Sequence, residues 1–291
     1  MSLKILNPYL QDRVPWLKGN LHCHTTNSDG ERPPQGVVDA YAQRGYDFLM
    51  LSDHDTLTEP ASVDARGMAL LAGNEVTLNG PHILHVGARE VVDPLPDRQR
   101  VLDRIAASTG FAIINHPNWE RFYDHCPQDR LNAWRGYTGL EIYNGVVRRQ
   151  RGTPLATDRW DRLLGDGRRV WGFANDDSHR PIDDGVAWNV VQCASREPGA
   201  ILEALQRGRF YASTGVTIRE IDVEQNRIHV RTENAQRIIV FSAYGHREAA
   251  VDGGEIHFEV TPTVEGGYGR FECWGAGEAM AWTQPFFLER T

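Results

Sequence analysis

Three times in this chain a short apolar run, long enough for a strand and too short for a helix, stops in ionisable residues. Residues 46–51 lead into Ser52, Asp53, His54 and Asp55. Residues 111–115 lead into His116 and Pro117. Residues 170–174 lead into Asn175, Asp176, Asp177, Ser178 and His179. Near-continuous apolar runs mark strands buried on both faces. Ionisable groups in a row are poor core material, so they are expected to gather at one end of it. Helical patterns separate the runs. Residues 34–42 open on Pro33-Pro34, carry Val37, Val38, Tyr41 and Ala42 as an apolar stripe and stop at Gly45. Further helices are expected at 60–70, 97–107, 154–164 and 198–206, and further strands at 71–76, 139–144 and 187–193. An alternation repeated about seven times predicts a mainly parallel α/β barrel. In such a barrel the C-terminal strand ends collect the chemistry.

The stretch 19–30 sharpens this expectation. It reads as a strand running into a turn. Side chains two apart share a face of a strand, so His22 and His24 project together and Cys23 points away, as a small core residue. A lone histidine is often no more than a hydrogen-bonded polar residue. A same-face pair followed by Asp29 is a nucleus for a divalent-metal site. Glu75, on the strand at 71–76, can bridge two metals. His82 and His85 are three apart and point to opposite faces, so at most one of them is a ligand. Asp177 and His179 repeat the spacing of the first pair. His125 falls in an excursion rich in aromatic and charged residues, with a surface or rim role, and Trp119 and Tyr123 of that excursion are candidates for substrate selection.

From about residue 217 the texture changes. Residues 228–232, 237–241 and 255–260 read as strands, Gly253-Gly254 and Gly266-Gly267 as turns, and no helical pattern appears. Length and patterning give two domains: residues 1–215 as the α/β barrel, and 216–291 as a small antiparallel β domain, sandwich-like. The net charge of −8 argues against long nucleic acid as a partner, because backbone binding needs a basic footprint. No apolar run spans a bilayer and no signal-peptide pattern opens the chain, so no membrane is expected. The four cysteines show no CxxC spacing and read as reduced thiols in a cytoplasmic protein.

With these residues in place the chain resembles the PHP (polymerase and histidinol phosphatase) superfamily. The matching pieces are His22-Cys23-His24-Thr25 with Ser28-Asp29-Gly30, then Ser52-Asp53-His54-Asp55, Glu75, His82, His116-Pro117 and Asp177-Ser178-His179. They fall in order over roughly residues 15–215 and look most like the stand-alone predicted metal-dependent phosphoesterases of that group, some of which carry a C-terminal β domain. The resemblance implies a distorted (β/α)7 PHP-type barrel and two or three divalent metal ions (Zn, Mn or Fe). It implies that His22, His24, Glu75 and Asp177 hold one metal. Glu75 bridges to a second held by His82 and His116, and a third takes Asp29, His54 and His179. His82 is preferred to His85 because it stands the family's usual distance before Gly87. Many members have His where Asp29 stands.

Clustered divalent ions suit hydrolysis, since they bring the pKa of bound water toward about 7 and neutralise developing charge. The expected activity is that of a phosphoesterase using metal-bound hydroxide on a small phosphorylated metabolite. Asp53 and Asp55 are candidates to orient a ligand or relay a proton. Arg180 is a candidate phosphate contact. Arg148, Arg149 and Arg151 follow a strand end too, and solvated surface charge is the alternative reading for all four. Two alternatives stand beside this reading: the same site hydrolysing a carboxylic ester, carbamate or amide, and a non-catalytic metal-binding adaptor. The sequence leaves homo-oligomerisation open.

Overall fold

The computed structural model describes residues 3–261 and 264–290. The chain opens with β1 (Leu3–Leu6), β2 (Trp16–Asn20), α1 (Pro34–Gln43) and β3 (Phe48–Met50). There follow β4 (Ala69–Leu71), β5 (Gly73–Val76), β6 (Ile83–Val86), α2 (Arg98–Ala106), β7 (Phe111–Ile114), α3 (Gln128–Ala133) and β8 (Tyr137–Asn144). Next come α4 (Thr157–Gly165), β9 (Trp171–Asn175), β10 (Trp188–Gln192), α5 (Pro198–Gln206) and β11 (Phe210–Ser213). The tail is all strand: β12 (Ile218–Glu224), β13 (Arg227–Thr232), β14 (Arg237–Ser242), β15 (His246–Asp252), β16 (Glu255–Glu259), β17 (Tyr268–Trp274), β18 (Met280–Thr283) and β19 (Phe286–Arg290).

The architecture is mixed α/β, and richer in sheet than the alternation predicts. Parallel pairing joins β2 to β3, β3 to β4, β7 to β8 and β8 to β9. The pairs β5–β6, β6–β7, β2–β10 and β10–β11 are antiparallel. The helix expected at 60–70 is a single 3-10 turn, Pro60–Ser62. Residues 59–67 hold Val63 as their one large aliphatic side chain, and Arg66 and Gly67 have φ of +53° and +81°. There is no apolar stripe to bury, so a short polar crossover suffices.

Two sheets enclose one apolar interior. The strands β2, β3, β4, β6, β7, β9, β10 and β11 contribute Leu17, Phe48, Leu71, Val86, Ile113, Phe173, Val191 and Phe210 to it, and α5 adds Ile201 and Leu205. Burial of these side chains stabilises the layer at about 25 cal/mol per Å² of apolar surface. The chain changes sheet at Ala72: β4 continues the β2–β3 sheet, while β5 starts the second. Side-chain amides help join the two sheets, tying β9 to the end of β2 and to β10. Leu21 N–H donates to Asn175 Oδ1 (3.2 Å), and Ala174 N–H donates to Asn189 Oδ1 (3.1 Å). Isolated parallel bridges Cys23–Ser178 and His54–Glu75 add two more stitches.

The tail is not a separate sheet system. β12, β13 and β16 form a three-stranded sheet, but β14, β15, β17, β18 and β19 extend the large sheet through the β11–β18 pair. The first strand of the chain, β1, pairs with the last, β19. Arg270 of β17 is fully buried between Trp160 and Phe241 and is paired to Asp161 of α4 through two hydrogen bonds of 2.7 and 2.6 Å. That ion pair bolts the tail to the α/β part.

Candidate metal centre

Strand β2 stops earlier than its sequence suggests. Asn20 accepts the His22 N–H through Oδ1 (3.0 Å), and its Nδ2 donates to Tyr41 Oη and Asp176 Oδ2. The chain then continues in extended form, so His22 and His24 still share a side, their ring centres 5.2 Å apart. Cys23 is buried in a separate apolar cluster with Val37 and Leu49. The turn that follows folds back tightly. A Cβ on Gly30 would lie 2.4 Å from the His24 carbonyl oxygen, so only glycine fits. The fold-back brings Asp29 Oδ1 to 3.3 Å from both His54 Nε2 and His179 Nε2.

Glu75 is the hub. It is fully buried on β5. Its Oε1 lies 3.3 Å from His22 Nε2, 3.2 Å from His82 Nδ1 and 3.3 Å from His116 Nε2. Its Oε2 lies 2.9 Å from His54 Nδ1 and 3.6 Å from His24 Nε2. Asp177 Oδ1 sits 3.1 Å from both His22 Nε2 and His24 Nε2. His116 and Asp177 adopt φ of +24° and +54°, a left-handed backbone disfavoured for both. Such outliers cluster where geometry serves a site.

The structure thus brings all nine sequence-derived candidates together: His22, His24, Asp29, His54, Glu75, His82, His116, Asp177 and His179. Ligand atoms fall in overlapping sets within 4.8 Å: His22, His24 and Asp177; His22, Glu75 and His116; and His24, Asp29, His54 and His179. His85 stands apart, its Nε2 3.0 Å from Ser108 Oγ.

Two participants were not read from the sequence. Glu141, buried on β8, holds His22 Nδ1 at 2.7 Å and accepts the His116 N–H at 2.9 Å. A carboxylate behind one ring nitrogen fixes the tautomer and frees the other nitrogen as a ligand. A charged residue in the middle of the apolar run 139–144 was the available signal. The second is His125, expected at the surface or the rim and not as part of a ligand set. Its ring centre lies 4.5 Å from that of His82 and 4.7 Å from that of His116, and the three form a further potential ligand set. Its Nε2 accepts the His82 N–H (3.0 Å). Burial first, and then His116 and His82, push its pKa far down, so it stays neutral. Trp119 packs on His82, His116 and His125.

Three other candidates lie elsewhere. Asp53 accepts from Thr25 N–H (2.7 Å), Thr25 Oγ1, Ser28 Oγ and Thr58 Oγ1, which makes it the anchor of the turn carrying Asp29. Asp55 accepts the N–H groups of Thr77 (2.9 Å) and Leu78 (3.0 Å) and steadies the chain after Glu75. Neither is among the residues that line the cleft, so neither is placed for proton relay. Arg180 is exposed and paired with Glu31 (3.0 Å), away from the lining of the cleft.

The donor set fits divalent metal. Buried His22 Nε2, His24 Nδ1 and Glu75 Oε2 have no hydrogen-bond partner, and buried polar atoms are rarely left so. The carboxylates also draw positive charge inward. Burial alone would lower the pKa of His54, yet Asp29 and Glu75 push it up to about 10. Burial would raise the pKa of Glu75, but His22 and His82 hold it well below its ordinary value. A field that holds protons on imidazole also attracts a dication. The cleft above has a volume of about 170 Å³, and Trp119, Val146 and Gln150 line it together with seven of the nine candidates, with no lysine or arginine among the described residues of the lining.

Fold and site together define an α/β protein with a buried, multi-ligand histidine–carboxylate centre at one end of its strands. No family model matches the sequence. A two-domain protein from Bacteroides vulgatus, described as containing a predicted PHP-like metal-dependent phosphoesterase, superposes over 99% of this chain and 90% of that one, with a TM-score of 0.54 at 17% identity. The resemblance to the PHP superfamily therefore holds at the level of fold. Two curated proteins match locally. A 5'-3' exoribonuclease from Haemophilus influenzae is 42% identical over 76 residues, 23% of this chain and 27% of that protein. A 3',5'-nucleoside bisphosphate phosphatase from Chromobacterium violaceum is 40% identical over 72 residues, 23% of this chain and 25% of that protein. Both matches span about a quarter of the curated relatives' length.

Proposed function

We propose that the chain is a metal-dependent phosphoesterase acting on a small phosphorylated metabolite, and that its α/β part is a distorted seven-stranded barrel of the PHP type. The observation that carries the reading is the hub at Glu75: one buried carboxylate within 3.6 Å of nitrogens from five histidines. His22, His24, Glu75 and Asp177 would hold one ion. Glu75, His82 and His116 would hold a second, and Asp29, His54 and His179, with His24 in reach, a third. Bound divalent ions supply an activated water and neutralise phosphate charge.

The chain's own residues do the positioning. Glu141 orients His22, and Asp53 holds the turn that presents Asp29. His125 and Trp119 wall the site on the side of His82, sheltering it from bulk water. The local match to a bisphosphate phosphatase supports phosphate as the group hydrolysed. One observation favours acyl hydrolysis instead: no lysine or arginine lines the cleft.

Turnover of p-nitrophenyl phosphate and p-nitrophenyl acetate by manganese-reconstituted protein separates the two. Phosphate turnover abolished in His54→Ala and Asp177→Asn, with unchanged circular dichroism, is the expected result. Acetate turnover alone, lost in the same variants, would transfer the site to acyl chemistry.

A further inference from the structure

Beside the metal cleft lies a larger cavity of about 580 Å³, within the range of a small-ligand pocket. The two are separated by one 3-10 turn, Val146–Arg149. Val146 and Gln150 face the cleft, whereas Gly145, Arg148 and Arg149 face the cavity. Both open at the same ends of β8 and β9. The cavity walls are largely apolar, with Tyr143, Leu155, Ile182 and Val186 from the α/β part and Met280 from the β17–β18 hairpin. Arg149 forms its polar edge but is held by Asp183 (2.7 and 2.8 Å). Asp183 also accepts the His179 N–H (3.3 Å), so this wall and the ligand loop are one unit. Arg148 reaches Glu278 of the hairpin (3.1 Å), an exposed pair that ties the tail to the cavity edge.

At about 170 Å³ the cleft has room for a phosphoryl group and little more. The remainder of an ester must leave it, and the cavity is the apolar space next to it. We infer that this cavity receives the leaving group, so that the substrate is the phosphate ester of a bulky, largely apolar alcohol or phenol, and that the β tail completes the substrate site through Met280. The assignment rests on the phosphoesterase reading and narrows it.

The test uses full-length, manganese-reconstituted protein with two esters, 1-naphthyl phosphate and β-glycerophosphate, and the non-hydrolysable fluorescent analogue 1-naphthylphosphonate. Ile182→Glu places charge on the apolar wall at an exposed position, which spares the core, and Met280→Trp fills the space. Both should raise KM for naphthyl phosphate about tenfold, the scale of lost apolar pocket contacts, with kcat/KM for glycerophosphate unchanged. Equal losses on both esters, or no change on either, overturn the assignment. Should wild type hydrolyse neither ester yet bind the phosphonate about tenfold more tightly than both variants, the phosphoesterase reading fails and the leaving-group role with it, while the cavity's selection of a bulky apolar group stands. Equal phosphonate binding by all three proteins overturns it.

Discussion

His22 shows how one side chain is committed to a single role. Glu141 takes its Nδ1 at 2.7 Å, and Nε2 is left without a hydrogen bond at the centre of the site. Glu141→Gln keeps the shape and removes the charge. It should weaken metal affinity about 10–100-fold, as loss of a ligand-orienting carboxylate does, and a chelator competition titration measures it. His85, on β6 and three residues after His82, offers a contrast. Burial pushes its pKa down to about 4, below the 6.5 of an unfolded histidine. The unfolded chain therefore binds the extra proton first. Stability from this residue is complete above pH 6.5 and is lost as pH falls toward 4, by at most about 3 kcal/mol. Urea midpoints of metal-free protein should fall over that interval in wild type and less in His85→Gln. Parallel pH curves would rule the residue out. At this scale much was legible: His22 and His24 announce themselves by spacing, and His54, His116, Asp177 and His179 by standing where apolar runs stop. His125 was legible only as a surface or rim residue, because nothing local says that residues 117–126 fold back over His82. Asp53 and Asp55, read as orienting a ligand or relaying a proton, hold backbone and hydroxyl donors of neighbouring segments, Asp53 those of the turn that carries Asp29.

At the scale of elements, periodicity located α1, α2, α4 and α5 within a few residues, because each buries one apolar stripe. Pairing direction was not encoded in that signal. A buried strand reads as apolar whether its neighbour runs with it or against it, so the antiparallel β5–β6–β7 run went unseen. The 60–70 segment shows the converse: a helix is expected there, yet without a stripe to bury it forms only a 3-10 turn. The joint between α4 and β17 rests on Arg270 and Asp161, both buried. Removing one partner of a buried pair strands the other charge and costs about 3–5 kcal/mol. Arg270→Ala should lower stability by that amount in chemical denaturation. A loss below about 1 kcal/mol, the worth of an exposed pair, would show that the joint is not held this way.

For the whole molecule, the unforeseen feature is continuity. The strand texture after residue 217 suggested an appended β unit, yet the large sheet passes from β2 and β10 through β11 and β18 into the tail, and β1 returns to pair with β19. Local sequence could not reveal this, since the β11–β18 and β1–β19 pairs join residues more than 60 positions apart. Among the described residues no helix is long and apolar enough to cross a membrane. The central claim is that distant strand ends converge on a shared metal centre hinged on Glu75. Metal content by inductively coupled plasma mass spectrometry, on wild type and Glu75→Gln prepared side by side, tests it most directly. A bridging ligand predicts at least two equivalents of divalent metal in the wild type and the loss of more than one through the single substitution. Wild type without bound metal, or a variant that retains all but one of its ions, would contradict the account.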